Sequence, residues 1–217
     1  MKNGSWEAIY VEQGKTQIDV LDTVVEAAQR FTDNGCTSIL DLGCGTGRHT
    51  LFLADQGFHI HASDLSPTGV QLTRQLVDQC GAYDVEYSVQ NMYAMTLEDQ
   101  RFDGVLCIWV QGHGVREDIR QGIHEIHRVL KKGGTVVTDF VTTEDPTYGI
   151  GEEIDKNTFV GGRPGEEDIP HYYTTREELE TLFAEFSEVE LADKVYEFTD
   201  MHGNEHKIVA ILVTAKK

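Results

Sequence analysis

The apolar residues of this chain switch repeatedly between helical and strand spacing. Ile18, Leu21, Val25 and Ala28 recur at helical intervals and predict an amphipathic helix from about Thr16 to Phe31, closed by Asp33-Asn34-Gly35. Ser38 to Leu42 is short, largely apolar and stopped by Gly43, so it reads as a strand; a helical pattern resumes over Arg48 to Gln56 through Leu51, Leu53 and Ala54. Phe58 to Ser63 predicts a second strand ending at Asp64. Ser66 then caps a helix whose first position is Pro67 and which runs to about Cys80. Val85 to Val89 alternates as a third strand, and Phe102 to Val110 is a nearly continuous apolar run suited to burial on both faces. Ile119, Ile123, Ile126 and Leu130 mark another amphipathic helix, which Gly133-Gly134 ends before a strand at Thr135 to Phe140. Thr175 and Glu178 form a capping box ahead of Leu179, Leu182, Phe183 and Phe186. Two final strands follow, near Glu188 to Phe198 and Glu205 to Ala215.

Strand and helix in alternation imply an α/β domain: a doubly wound, mostly parallel sheet with helices on both faces, ending in an antiparallel hairpin. Ligands of such sheets bind beyond the carboxyl ends of the strands, so the segments after strands one to four are where chemistry is expected. A length of 217 residues suits a single domain, 1–217. Within it, residues 141–173 lose all periodicity and read as a substrate-side insertion, and residues 1–15 as an N-terminal lid. With 37 acidic against 18 basic residues, the formal charge of −19 repels phosphate backbones and anionic lipid, which disfavours nucleic-acid and membrane partners. No apolar run reaches the ~20 residues of a membrane helix, and the first residues, Met1, Lys2, Asn3 and Gly4, lack the apolar core of a secretion signal. A cytoplasmic protein is expected, with Cys36, Cys44, Cys80 and Cys107 reduced.

The turn Asp41-Leu42-Gly43-Cys44-Gly45-Thr46-Gly47 sets glycines at alternate positions between strand and helix, where a ligand can approach the backbone closely. A dinucleotide-binding turn spaces its glycines differently and presents amides to a pyrophosphate; Asp41 would repel that group and suits an ammonium-bearing ligand instead. Asp64, with Leu65 beside it, closes the second strand where an acid can accept both hydroxyls of a ribose; the plainer role for Asp64 is a helix cap. Asn91 follows the third strand and suits an adenine edge, with Met92 packing on the ring; a turn asparagine is the alternative.

These segments resemble the class I S-adenosylmethionine-dependent methyltransferases: Asp-Leu-Gly-Cys-Gly-Thr-Gly, Ala-Ser-Asp-Leu-Ser, Phe-Asp-Gly-Val-Leu and, at 128–135, Arg-Val-Leu-Lys-Lys-Gly-Gly-Thr. The resemblance covers about Thr16 to Phe140. It implies a Rossmann-like, seven-stranded sheet whose last strand is antiparallel, with S-adenosylmethionine as cofactor and S-adenosylhomocysteine as product. By the resemblance, Gly43, Cys44, Gly45 and Gly47 hold the methionine moiety, Asp64 and Leu65 the ribose, and Asn91 and Met92 the adenine. Many relatives carry Asp where this chain has Asn91. Trp109 joins the cofactor side, and in small-molecule members the segment holding Trp6 and Tyr10 folds over the cofactor.

Methyl transfer from a sulfonium needs alignment and, for some acceptors, one base. His113, just past the fourth strand, is a candidate, weighed equally against a locally bonded loop histidine. His171, with Tyr172 and Tyr173, ends the insertion and either closes over a substrate or packs beneath a loop. His124 and His127 lie three apart on a helix without a third ligand, so no metal site is expected. The Asn/Asp-Pro-Pro-aromatic signature of nucleic-acid amino methylation is missing after the fourth strand, where Trp109-Val110-Gln111-Gly112 stands. The expected function is methyl transfer to a small molecule. The alternatives are a non-catalytic regulatory module that binds the same nucleoside, and, less favoured by the turn, a nicotinamide-dependent oxidoreductase.

Overall fold

A computed structural model describes residues 5–14, 19–199, 203 and 205–217. Helices α1 (Ser5–Gln13) and α2 (Asp22–Asp33) precede the alternating core: β1 (Ser38–Leu42), α3 (Arg48–Asp55), β2 (His59–Asp64), α4 (Pro67–Cys80), β3 (Val85–Val89), β4 (Phe102–Cys107), α5 (Arg116–Val129) and β5 (Leu130–Val141). After short strands β6 (Glu152–Asp155), β7 (Thr158–Val160) and β8 (His171–Tyr172), the chain returns through α6 (Arg176–Leu182), β9 (Ser187–Thr199) and β10 (Glu205–Lys216).

The main sheet has seven strands in the order β3-β2-β1-β4-β5-β10-β9. Pairing is parallel from β3 through β5, and β10 runs antiparallel to both of its neighbours, β5 and β9. This is the Rossmann-like arrangement expected from the sequence. The strand order reverses between β1 and β4, and the carboxyl ends of β1, β2 and β4 open there. On β1, Leu40 and Leu42 join the apolar layer of α5 and α6, whereas Ile39 joins the opposite layer with Val24, Phe31 and Leu53. Burial of both faces explains why these strands read as apolar runs rather than as alternating ones. Ser66 caps α4 as expected, its Oγ accepting from Gly69 N at 2.9 Å.

Several expected boundaries differ. The start of the predicted first helix, Thr16 and Ile18 included, lies outside the described residues, as do Met1 to Gly4; α2 begins at Asp22 and buries Val24, Ala27, Ala28 and Phe31, leaving Val25 47% exposed. Strand β4 ends at Cys107 rather than Val110, because Trp109 turns into the left-handed region at φ 63° and its N–H donates to Asp139 Oδ1 on β5 at 2.8 Å. Helix α5 stops at Val129, since Leu130 is already extended and pairs with Phe102. The stretch read as structureless holds a three-stranded antiparallel sheet, β6-β7-β8. Among the described residues, no helix is long and apolar enough to cross a membrane.

Candidate functional site

The glycine turn is shaped by backbone that only glycine tolerates at two points. Gly43 and Gly47 sit at φ 81° and 94°; a Cβ on the first would stand 2.4 Å from Val110 Cγ2, and on the second 2.9 Å from Thr73 Cα. Gly43 N and Cys44 N both donate to Ser63 O, at 2.7 and 2.9 Å, which joins the turn to the end of β2. Asp64 completes that junction: its Oδ2 accepts from Gly45 N and its Oδ1 from Ser66 N, each at 2.9 Å. Burial raises the Asp64 carboxyl above its ordinary value, and these backbone bonds partly offset it. The acid thus serves both turn and cap, and its remaining lone pairs are what a ribose would find.

Asp41, 3% exposed, accepts from Thr50 Oγ1 at 2.5 Å and is pushed up to about 6, chiefly by burial, with the charge of Asp64 adding and Thr50 and Arg48 opposing. Arg48, the first residue of α3, places its guanidinium 4.9 Å from the Trp109 ring centroid. Burial lowers its pKa to about 10, against the opposing charges of Asp41, Tyr10, Asp19 and Asp139. An acid and a guanidinium beside one glycine turn match a ligand end that carries both an ammonium and a carboxylate. Arg48 was absent from the residues expected of this site, although its place directly after Gly47 was a readable signal.

Helix α1 lies across this turn. The Glu7 carboxylate accepts from Ser66 Oγ, from Thr68 N at 3.1 Å and from Thr68 Oγ1 at 2.6 Å, fastening α1 to the start of α4. Tyr10 is buried against the turn; a Cβ on Gly45 would stand 3.0 Å from its hydroxyl, and one on Gly69 3.1 Å from its ring. Trp6 stacks on Tyr10 at 5.9 Å and meets the His113 ring at 5.0 Å, so one helix touches both the turn and the loop after β4. Trp109 packs on Tyr196 and Phe198 at 5.3 and 5.1 Å, on the side of the turn that Arg48 faces. Leu65 is half-buried beside Asp64. Asn91 is exposed and its Oδ1 accepts from Tyr93 N at 3.1 Å, closing a local turn. Met92 is buried in the apolar layer with Leu40 and Leu42.

On the other side of Trp6, the loop after β4 meets the start of β8. Tyr172 N donates to Gly112 O at 2.8 Å, and the rings of His113 and His171 come edge to face at 5.2 Å. Glu166 Oε2 lies 2.7 Å from His171 Nε2. Sequence reasoning missed Glu166, which sits in the unpatterned stretch before β8 with no spacing to single it out. Burial, with help from His171 and Arg163, drives His113 down to about 3, so its imidazole is neutral at ordinary pH. Burial acts to raise Glu166, but its bond to His171 and the positive charge of Arg163 prevail and hold it low. Tyr172 and Tyr173 do not accompany His171: both are buried, and Tyr173 packs on Tyr148 and Phe159 while its hydroxyl lies 2.8 Å from Thr147 Oγ1. His124 is exposed and His127 packs on Phe186 at 4.9 Å, both apart from this cluster. The expectation of no grouped metal ligands weighed only that helical pair; His113, Glu166 and His171 are a grouping that the fold assembles from separate loops.

Residues 39–134 match the model of a methyltransferase domain family. The chain is 28% identical over 137 residues to the putative methyltransferase YqeM of Bacillus subtilis, covering 62% of this chain and 52% of that protein. It is 32% identical over 119 residues to a demethylmenaquinone methyltransferase of Clavibacter sepedonicus, covering 54% and 46% respectively. The chain therefore spans about half the length of these curated relatives. A solved SAM-dependent methyltransferase from Methanosarcina mazei shares the fold with a TM-score of 0.69 at 24% identity, covering 83% of this chain and 92% of that one. The glycine turn, the strand order and the matched segment identify residues 39–134 as a methyltransferase domain, set in the fold of the S-adenosylmethionine-dependent methyltransferases.

Proposed function

We propose that this chain transfers the methyl group of S-adenosylmethionine to a small-molecule acceptor. S-adenosylmethionine supplies a methyl already activated on a sulfonium, so the protein's task is alignment rather than covalent assistance. Asp41 and Arg48 are assigned to the amino-acid end of the donor, with Gly43, Cys44, Gly45 and Gly47 giving it room against the backbone. Asp64 and Leu65 are assigned to the ribose, Asn91 and Met92 to the adenine, and Trp109 and Tyr10 to the walls of the donor site. His113 and His171 are assigned to the acceptor side, where they border the place an oxygen, nitrogen or thiol acceptor would take. The observation that carries this reading is the single helix α1, whose Tyr10 rests on the glycine turn while its Trp6 rests on His113. It links a donor-type turn to a pair of histidines.

The formal charge of −19 supports an acceptor other than nucleic acid, and a cytoplasmic setting fits the same reading. Residues 1–15 would then act as the lid and 141–173 as the segment that shapes acceptor choice. Calorimetric titration with S-adenosylmethionine, S-adenosylhomocysteine and a reduced nicotinamide dinucleotide tests the donor assignment. Binding of the first two alone is expected, and an acceptor screen with product detection by mass then separates an enzyme from a regulatory binder. Dinucleotide binding, or binding of none of the three, would refute it.

A further inference from the structure

Methyl transfer asks at most for one base, yet the acceptor side gathers two imidazoles and a carboxylate. The ligand atoms of His113, Glu166 and His171 all lie within 4.8 Å of one another. They come from three separate places: the loop after β4, the turn before β8, and the first residue of β8. Two nitrogen donors and one carboxylate are the ligand types that suit a first-row divalent ion, and three protein ligands leave further coordination positions open. We propose that His113, Glu166 and His171 form a binding site for a divalent transition-metal ion, whose open positions receive an acceptor carrying an oxygen or sulfur donor. The acceptor clause rests on the methyltransfer reading; the metal site does not.

The backbone holds these donors without help from an ion. Tyr172 N bonds to Gly112 O at 2.8 Å, which ties together the neighbours of the two histidines, and Tyr93 Oη donates to His113 O at 2.8 Å. Glu166 N donates to Arg163 O at 3.1 Å and Ile169 N to Glu166 O at 3.0 Å, so the acid sits within a pair of consecutive turns. With metal–ligand bonds of about 2.1 Å, neighbouring ligands of one ion stand about 3 to 3.5 Å apart. The Glu166–His171 contact at 2.7 Å needs to open only slightly to admit an ion, whereas a separation as wide as 4.8 Å needs a larger closing movement of the side chains. The neighbouring cation, Arg163, stands 3.7 Å from the buried carboxylate of Asp145, so its charge is already opposed when a dication enters. His171 is 4% exposed, and burial of this kind strengthens the preference for a paired or coordinated group over a solvated one.

The test uses the full chain, dialysed against a chelator and titrated with cobalt(II) chloride, followed by visible d–d absorption and by calorimetry. One equivalent is expected to bind, and zinc to displace it. Glu166→Gln and His171→Gln should each weaken cobalt binding by about tenfold or more, the scale on which metal affinity responds to changes around a site, whereas His124→Gln on the exposed side of α5 should not. Titrating each variant with S-adenosylhomocysteine shows whether it remains folded; His113→Gln replaces any variant that does not. No stoichiometric cobalt binding by the unaltered chain would overturn the proposal, as would binding that survives the double variant Glu166→Gln/His171→Gln. Cobalt binding without S-adenosylhomocysteine binding would leave the metal site standing and sink the methyltransfer reading instead; the reverse result would do the opposite.

Discussion

Lowering the pH through 6 should weaken the binding of a donor whose amino group rests on Asp41 more than that of a donor truncated before the amino acid. The Asp41 carboxyl is pushed from its ordinary 3.8 to about 6, mainly because it is buried. At about 1.36 kcal/mol per pH unit, the charged form is disfavoured in the unliganded fold by about 3 kcal/mol. An ammonium placed against the carboxylate favours its charged form, so binding has to expel the proton wherever Asp41 is protonated. Below pH 6 that costs about tenfold in affinity per pH unit. Calorimetry with S-adenosylhomocysteine and with 5′-methylthioadenosine, which lacks the amino-acid end, separates this effect from the titration of Asp64, because both ligands carry the ribose. The dissociation constant of the first should rise about tenfold between pH 6 and pH 5, relative to the second. Asp41→Asn should remove the difference while weakening the first ligand at pH 7. Parallel pH profiles for the two ligands in the unaltered chain would refute the pairing. The unliganded protein responds with the opposite sign: a carboxyl whose folded pKa is raised contributes stability that is complete below about 3.8 and is lost as pH rises through about 6. Thermal melts of Asp41→Asn should lose that slope.

Gly47→Ala should cost about 2 to 3 kcal/mol, from a left-handed backbone and a collision with the Thr73 main chain, and a fall in Tm smaller than that of a neutral surface variant would count against it. Glu7→Gln should loosen α1 by about 1 kcal/mol through its weakened bonds to Ser66 and Thr68, read as faster hydrogen exchange in α1 with exchange in β1 unchanged. Phe31→Ala should destabilise the domain by about 3 to 5 kcal/mol, since the ring is fully buried between α2 and the sheet; a smaller loss would show that the layer can collapse around the cavity.

The parts of this fold that were readable in the sequence are those fixed by neighbours in the chain. Ser66-Pro67 announced α4 by local capping chemistry, and the run from Ser38 to Gly47 announced a strand, a tight turn and a helix start within ten residues. Val25 misled because its spacing matched a helical stripe, while the stripe that α2 buries is set by Ile39 and Leu53 across from it. Strand β6, Glu-Glu-Ile-Asp, is exposed along its whole length and shows no alternation, so its pairing with β7 left no trace in the pattern. The meeting of Glu166 with His113 and His171 depends on that small sheet and on the bond from Tyr172 to Gly112, both long-range consequences of folding. Arg48, by contrast, was locally placed and lacked only a chemical partner until Asp41 and Trp109 were seen beside it.

The double footing of α1 has a kinetic meaning. Tyr10 stands on the glycine turn and Trp6 on His113, so if donor and acceptor bind as proposed, the same nine-residue helix would have to lift before either could reach its place. Two substrates that share one door enter in sequence, the deeper first, and leave in reverse. Turnover would then follow a compulsory order, donor before acceptor, with S-adenosylhomocysteine competing against S-adenosylmethionine but not against the acceptor, and with the slowest step set by the lifting of α1 after the methyl group has moved.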